Sequence, residues 1–331
     1  MNLEEKIKVG VVGVGALGRH HARLYSLNKN VTLVGVYDIN PENLFNVSKE
    51  CNTKGYTNVE ELAADCEALS IAVPADVHHQ VAIKLLNLNK HILIEKPLAA
   101  KLEDAEEIVS LAERKKLVLA VGHVERFNPV MSFIEERAKD IKFMEVHRLA
   151  PYPPPRPGQH RRGTEVGVVL DLMIHDLDII LRLVNSEVER IDAVGIPVLS
   201  PGEDIANVRI KFVNGCVANV TASRVSGEPM RRFRAFTNDS YLTLDYANKS
   251  GLIYKKHPLG IKKEQIPVND HNALEKELED FVQCVIEAKK TGIPPSPKVS
   301  GKHGLDALRI AINITEEIKR YNQKYGVKIP K

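Results

Sequence analysis

The sequence predicts an α/β fold joined to an α+β fold: a doubly wound parallel sheet over the first third of the chain, then a domain with a mostly antiparallel open sheet. Three observations predict it. Residues 7–38 read as strand, glycine-rich turn, helix and second strand ending in an acid, with Gly13, Gly15 and Gly18 spaced G-x-G-x-x-G. Up to residue 122, short Val/Ile/Leu runs with little polar alternation are separated by amphipathic stretches, as expected for strands buried on both faces. Beyond residue 122 the runs alternate apolar and polar with period two, the pattern of half-buried antiparallel strands.

Taken in order, strands are predicted at 7–12, 31–37, 68–73, 91–94 and 117–121, with helices near 17–27, 41–50, 77–88 and 102–115. Pro41 suits a first helical turn, where its missing N–H is not needed. Ala105, Ile108, Leu111 and Ala112 place one apolar face on the helix at 102–115. A helix is expected over 128–139, then strands at 142–149, 190–196, 207–212, 217–223, 232–236, 241–246 and 252–255. Asn214-Gly215 marks a hairpin between two of them. Two amphipathic helices close the chain, about 271–290 with Leu274, Leu278, Phe281 and Val285 inward, and 302–323 with Leu305, Leu308, Ile312 and Ile318 inward. The expected division is a dinucleotide-binding domain over 1–122 and a substrate and oligomerisation domain over 123–331. Whether the last helix packs back on the first domain stays open.

A chain of 331 residues is long enough for two hydrophobic cores. Its 46 basic and 43 acidic residues leave a net charge of only +3, which argues against nucleic acid or an anionic membrane as the main partner. The four cysteines are far apart and form no C-x-x-C pair, so reduced thiols and a cytoplasmic location are expected. The start MNLEEKIK has no apolar core of a signal peptide. No apolar run approaches the ~18 residues of a membrane span, so no membrane insertion is expected.

In the glycine turn, Gly13 permits the tight bend, Gly15 the close approach of backbone to a pyrophosphate, and Gly18 the packing of helix on strand. Ala16 and Leu17 complete the turn, whose free N–H groups face the anion at a helix start. Asp38 follows Gly18 by twenty residues, where a carboxylate accepts from ribose hydroxyls and repels a 2′-phosphate. The cofactor expected is NAD in preference to NADP.

Four further segments fall where such a fold places its ligand. They are Val73-Pro74 with His78; Glu95-Lys96-Pro97; His123, Arg126 and Asn128; and Asp171, His175 and Asp178. Val73, Pro74, His78, Glu95 and Lys96 are expected to line the cofactor, with Glu95 directed toward it. Arg126 has two readings, a grip on a substrate anion or an ion pair between domains, and Asn128 beside it is a further substrate candidate. A metal reading of His175, Asp176 and Asp178 lacks further ligands at suitable spacing, so no metal is expected. The segment PYPPPRPGQHRRG at 151–163 carries Arg156, Arg161 and Arg162. Arginine forks bind phosphates bidentately, so this loop is read either as a clamp on a diphosphate-bearing substrate or as a solvated loop or subunit contact.

These ordered motifs, running from Gly13 through Glu95-Lys96-Pro97 to Asp171-Leu-Met-Ile-His175-Asp-Leu-Asp178, resemble the Gfo/Idh/MocA family over essentially the whole chain. Met173 stands where that family usually has glycine. The resemblance implies a Rossmann domain followed by an antiparallel-sheet domain, with Lys96 catalytic and Asp171 and His175 in the active site. It implies NAD-dependent oxidation of a secondary alcohol on a sugar. Such chemistry needs a base for the hydroxyl proton and a partner for developing alkoxide charge. Histidine, with an ordinary pKa near neutrality, suits the first role, and Lys96 the second. At helical spacing Asp171 shares a face with His175, to orient the ring or bind a hydroxyl. GHVERFNP and GVVLDLMIHDLDIIL look most like the sugar-nucleotide branch, which oxidises the 3-hydroxyl of UDP-N-acetylglucosamine on the way to amino sugars of lipid A. The alternatives are an inositol or another hexose, a redox-neutral glycoside cleavage with tightly held NAD, and a non-catalytic NAD-binding regulator. The presence of both Lys96 and His175 argues against the last. A homodimer or homotetramer is expected, because an open sheet face is usually covered.

Overall fold

In the computed structural model, which describes residues 6–137, 139–155, 163–266 and 270–330, Met1–Arg126 and Asn272–Leu305 form one unit and Phe127–His271 and Asp306–Lys331 a second. The first unit alternates strand and helix: β1 (Ile7–Val12), α1 (Gly18–Leu27), β2 (Val31–Tyr37), α2 (Pro41–Glu50), β3 (Lys54–Tyr56), α3 (Val59–Asp65), β4 (Ala68–Ile71), α4 (Ala75–Asn87), β5 (His91–Glu95), α5 (Leu102–Arg114) and β6 (Leu119–Gly122). The strands pair in parallel in the order β3-β2-β1-β4-β5-β6. The order reverses at β1, so the ends of β1 and β4 border the crevice where such sheets hold ligands. Asn40 starts α2 by accepting the Glu42 N–H, and Asn58 starts α3 by accepting from Glu60 and Glu61, each satisfying N–H groups that a helix start leaves without partners.

One helix corrects the expected domain division. The helix α8 (Ala273–Thr291), expected in the second domain, belongs to the first unit. Its apolar stripe Leu278, Phe281, Val282 and Val285 is buried in the same core as Val9, Val11, Ala22 and Tyr25. Complete burial of a side chain such as Phe281 stabilises by roughly 1.5–3 kcal/mol. After α8 the chain lies along β6: the Val121 N–H donates to the Val299 carbonyl, and Ala120 bridges Ser300 antiparallel. That contact covers the outer edge of the sheet.

The second unit holds α6 (Met131–Arg137), β7 (Phe143–Leu149), a π turn (Val169–Met173) continuing into α7 (Ile174–Val184), then β8 (Val188–Ile196), β9 (Ile205–Phe212), β10 (Val217–Ser223), β11 (Met230–Phe236), β12 (Ser240–Asp245), β13 (Ser250–His257) and β14 (Gly260–Gln265). The strand order is β14-β13-β12-β11-β7-β10-β9-β8. Every described pairing is antiparallel except β7 with β10. Gly215 turns the β9–β10 hairpin with φ +84°, as Asn214-Gly215 predicted. Alternation is strict in β9, whose even residues from Ala206 to Phe212 are buried. On the opposite face a ladder of half-buried rings crosses four strands, from Phe143 through Phe236 and Tyr241 to Tyr254. α9 (Gly301–Tyr325) begins in the first unit and continues in the second.

Candidate active site

The glycine turn joins β1 to α1, and each glycine is required for a different reason. Gly13 has φ +85°, and a Cβ there would strike Ala72 and Val73 at the end of β4. A Cβ on Gly18 would overlap the Gly13 carbonyl oxygen. Gly15 faces open space, with nothing within 4 Å of an added Cβ. Ala16 and Leu17 beside it are exposed, and no side chain caps the start of α1. The carboxylate of Asp38 closes the turn from the side: Oδ2 accepts the Val14 N–H at 2.7 Å and Oδ1 the Asn40 N–H at 2.8 Å. An ionised carboxylate has about four acceptor positions, so these two bonds leave capacity for ribose hydroxyls. An open glycine, a helix start without a side-chain cap and a braced acid are groups that the pyrophosphate and ribose of a dinucleotide fit.

At the ends of β4 and β5 a buried histidine joins two turns. His78 on α4 is 1% exposed, with Nδ1 at 2.9 Å from the Pro97 carbonyl and Nε2 at 2.9 Å from the Val73 carbonyl. Burial lowers its pKa, against the opposing pull of the two carbonyls. His78 is thus a staple between the turn at Val73-Pro74 and the turn at Lys96-Pro97, whose peptide bond is cis, and in its neutral form it donates its single N–H to one of the two carbonyls. Lys96 itself is half-buried.

Glu95, expected to face the cofactor, is buried: its Oε1 lies 3.1 Å from Nε2 of the fully buried His21 on α1, and its Oε2 accepts the Lys96 N–H at 3.3 Å. A Cβ on Gly122 would come within 2.9 Å of this carboxylate, so the glycine at the end of β6 makes room for Glu95. Burial acts to raise the Glu95 pKa, but the His21 hydrogen bond and the charges of His21 and Lys96 hold it below the ordinary value. His123 follows Gly122 and is buried. Burial, then the charges of Lys96, Arg126 and His303, push its pKa down to about 3, so its imidazole is neutral at physiological pH. The sequence expectation gave no role to His21.

Arg126 has two sequence readings, a grip on a substrate anion or an ion pair between domains. It is 2% exposed and its Nη2 donates to the Lys298 carbonyl at 3.2 Å, so its guanidinium ties the turn after β6 to the segment leaving α8. Asn128 accepts the Val130 N–H at 3.3 Å and, through its carbonyl, the Met131 N–H at 2.9 Å, a local turn that starts α6. Arg156, Arg161 and Arg162 lie outside the described residues.

In the second unit, Asp171 sits in the π turn and His175 in the first turn of α7, both half-buried on one continuous helical run. The Asp171 carboxylate lies against Gly163, where a Cβ would overlap it. Asp176, next to His175, is held by Arg148 in a bidentate pair, Nε to Oδ2 at 2.7 Å and Nη2 to Oδ1 at 2.9 Å. Both carboxylate oxygens of Asp176 are thereby engaged by one guanidinium. The structure groups Lys96, His78, Glu95 and His123 in the first unit and Asp171 with His175 in the second.

Residues 7–123 match the NAD-binding Rossmann fold of the Gfo/Idh/MocA oxidoreductase family, and residues 137–242 match the C-terminal domain of the same family. UDP-N-acetylglucosamine 3-dehydrogenase of Acidithiobacillus ferrooxidans is 35% identical over 286 residues, covering 84% of this chain and 88% of that one. A crystal structure of that enzyme superposes with a TM-score of 0.86 at 33% identity, over 96% of this chain and 99% of the other. Myo-inositol 2-dehydrogenase of Thermotoga maritima is 24% identical over 98% of both chains. Among the described residues, no helix is long and apolar enough to cross a membrane.

Proposed function

The chain belongs to the Gfo/Idh/MocA family of NAD-binding oxidoreductases, and from that premise we propose that it oxidises the 3-hydroxyl of UDP-N-acetylglucosamine to a ketone. That it is an NAD-dependent oxidoreductase acting on CH–OH groups of a small molecule follows from the family. The observation that supports the sugar nucleotide is the similarity to the A. ferrooxidans enzyme over 84% of the chain.

When bound, NAD supplies the hydride acceptor. The N–H groups of Gly15–Gly18 would hold its pyrophosphate, and Asp38 the adenosine ribose. Lys96 donates to the reacting oxygen and stabilises the charge that develops as the C–H bond breaks. His175 takes the hydroxyl proton, and Asp171 orients the imidazole or holds a neighbouring hydroxyl. The staple through His78 and the buried Glu95 carboxylate fix the turn that carries Lys96, which limits the geometric loss that a loose catalytic group incurs. We assign Arg156, Arg161 and Arg162 to the substrate diphosphate, because arginine forks match phosphate geometry.

The test compares UDP-N-acetylglucosamine, free N-acetylglucosamine and myo-inositol by nicotinamide absorbance, with mass spectrometry for loss of two hydrogens. Turnover of the nucleotide and little of the free sugar is expected. An active inositol beside an inactive sugar nucleotide overturns the substrate and leaves the family chemistry intact. Arg161→Ala and Arg162→Ala should raise KM for the nucleotide about tenfold each and leave NAD affinity unchanged. We further assign a homo-oligomeric contact to the ring ladder on the open face of the second sheet, which sedimentation tests. The four free thiols support a reducing, cytoplasmic location.

A further inference from the structure

We infer that Arg224, with Arg148 beside it, is a positioning residue for the Asp171–His175 pair. This rests on the catalytic reading of that pair and concerns how the second unit holds it. β7 and β10 are parallel neighbours, so their C-terminal ends emerge at the same end of the sheet. Arg148 is in register with Ala222, and Arg224 follows two residues later. Both arginines point inward and are almost fully buried, as are their acids Asp176 and Asp204.

Arg148 grips Asp176, the residue next to His175 in the first turn of α7. Arg224 grips the segment that leads into Asp171. Its Nη1 donates to the Gly163 carbonyl, and its Nη2 to the Val166 carbonyl at 2.8 Å and the Glu203 carbonyl at 3.3 Å. Asp204 fixes the guanidinium through Nε at 2.8 Å. Asp204 is fixed in turn by the N–H groups of Val198, Leu199 and Ser200 at 2.8, 2.6 and 2.9 Å. Glu203 continues the frame: its carbonyl accepts the Val168 N–H at 2.8 Å and its Oε1 the Val169 N–H at 3.2 Å.

The run 163–169 is therefore held at Gly163, Val166, Val168 and Val169, and Asp171 follows after Leu170. The Asp171 N–H donates to the Gly167 carbonyl, and its carboxylate rests on Gly163, the residue whose carbonyl Arg224 holds. A guanidinium presents several donors in one rigid plane, and three diverging carbonyls with a carboxylate use that plane fully. A lysine in this place could not span them.

The test is Arg224→Met combined with Asp204→Asn. It removes the Arg224 and Asp204 charges together, so neither partner of that ion pair is left buried alone, and the asparagine oxygen still accepts from the 198–200 amides. The variant should melt cooperatively and bind NAD as the wild type does. Amide exchange over 163–171 should accelerate, and kcat should fall about a hundredfold, the loss a misplacement of about 1 Å can cause. Arg224→Lys should lose kcat in the same way. Wild-type kcat in the folded double variant overturns the inference, and so does unchanged exchange over 163–171. If the double variant does not fold, Arg224→Lys alone decides: it keeps a positive charge beside Asp204 but cannot span the three carbonyls. It should lower kcat with NAD affinity intact, and retained kcat overturns the inference. If the wild type oxidises no sugar nucleotide, the substrate reading fails separately, and kcat is then measured with whichever polyol the wild type oxidises.

Discussion

Gly15 and Gly18 are three residues apart and should respond to the same substitution in opposite ways. In Gly15→Ala the new methyl group meets nothing within 4 Å, so the fold has no reason to yield. Loss of glycine's freedom in the unfolded chain should leave stability unchanged or raise it by about 0.4–1 kcal/mol, provided the backbone is compatible with alanine. The space the methyl fills is where a cofactor pyrophosphate would approach the backbone. Displacing one charge-assisted hydrogen bond there costs roughly 1.5–3 kcal/mol, or about a ten- to hundredfold weaker affinity for NAD. In Gly18→Ala the methyl overlaps the Gly13 carbonyl oxygen, a backbone atom that cannot rotate away. Overpacking of this kind costs about 1–3 kcal/mol, which in a domain of this size lowers Tm by roughly 2–4 °C per kcal/mol. Differential scanning calorimetry without cofactor and titration with NAD separate the two. Gly15→Ala should melt like the wild type and bind poorly; Gly18→Ala should melt early. Wild-type NAD affinity in Gly15→Ala would refute the placement of the pyrophosphate at this turn.

Lys96→Met and His175→Ala should each lose on the order of a hundredfold or more in kcat while still binding NAD; near wild-type turnover in either removes that residue from the chemistry. Asp38→Ala should relax the preference for NAD over NADP in kcat/KM, and should also lower Tm, because two backbone N–H groups lose their acceptor. A wild type that prefers NADP would overturn the role of Asp38. His123 predicts a pH dependence: its pKa falls from 6.5 to about 3 on folding. Below 6.5 the unfolded chain takes a proton that the native state refuses. Stability should therefore decline as pH falls from about 6.5 toward 3, at up to about 1.4 kcal/mol per unit, and gain nothing from this group above 6.5. His123→Asn should flatten that slope; a Tm–pH profile parallel to the wild type would show that His123 is not held neutral.

Most elements were legible from residue pattern, though not according to their length: the short β5 was expected at 91–94, whereas the 11-residue α7 was not among the expected helices. The predicted helix at 41–50 coincides with α2, and the predicted strands at 7–12, 31–37 and 217–223 coincide with β1, β2 and β10. β3 has three residues and α3 seven, too few to show a period. β14, GIKKEQ, is exposed along most of its length and carries no apolar alternation because it lies at the sheet's edge. α8 is recognisable as a helix from its period, but its unit is not. Its stripe of Leu278, Phe281 and Val285 says that something covers it, and nothing in a local pattern says that β1 and α1 do.

The candidate site divides along the same physical line. Backbone demands write themselves into sequence, so Gly13, Gly15, Gly18 and Asp38 could be read from spacing alone. Side-chain partners separated by a long connection could not. His21 nevertheless left a trace: Gly18, His21, Ala22 and Tyr25 form the buried face of α1, and a histidine on such a stripe needs a partner, which proves to be Glu95. Arg148 left a clearer one. Met144, Val146 and Arg148 share the inward register of β7, and a charge at an inward position is tolerated only when paired and hydrogen-bonded. Period two along this one strand therefore implies a buried acid for Arg148. Asp171, Asp176 and Asp178 are all near enough in sequence to supply it. The structure pairs Arg148 with Asp176 and leaves Asp171 beside Gly163, while the parallel pairing of β7 with β10 brings Arg148 and Arg224 to one end of the sheet. More than sixty residues separate those strands, and no local pattern encodes their pairing.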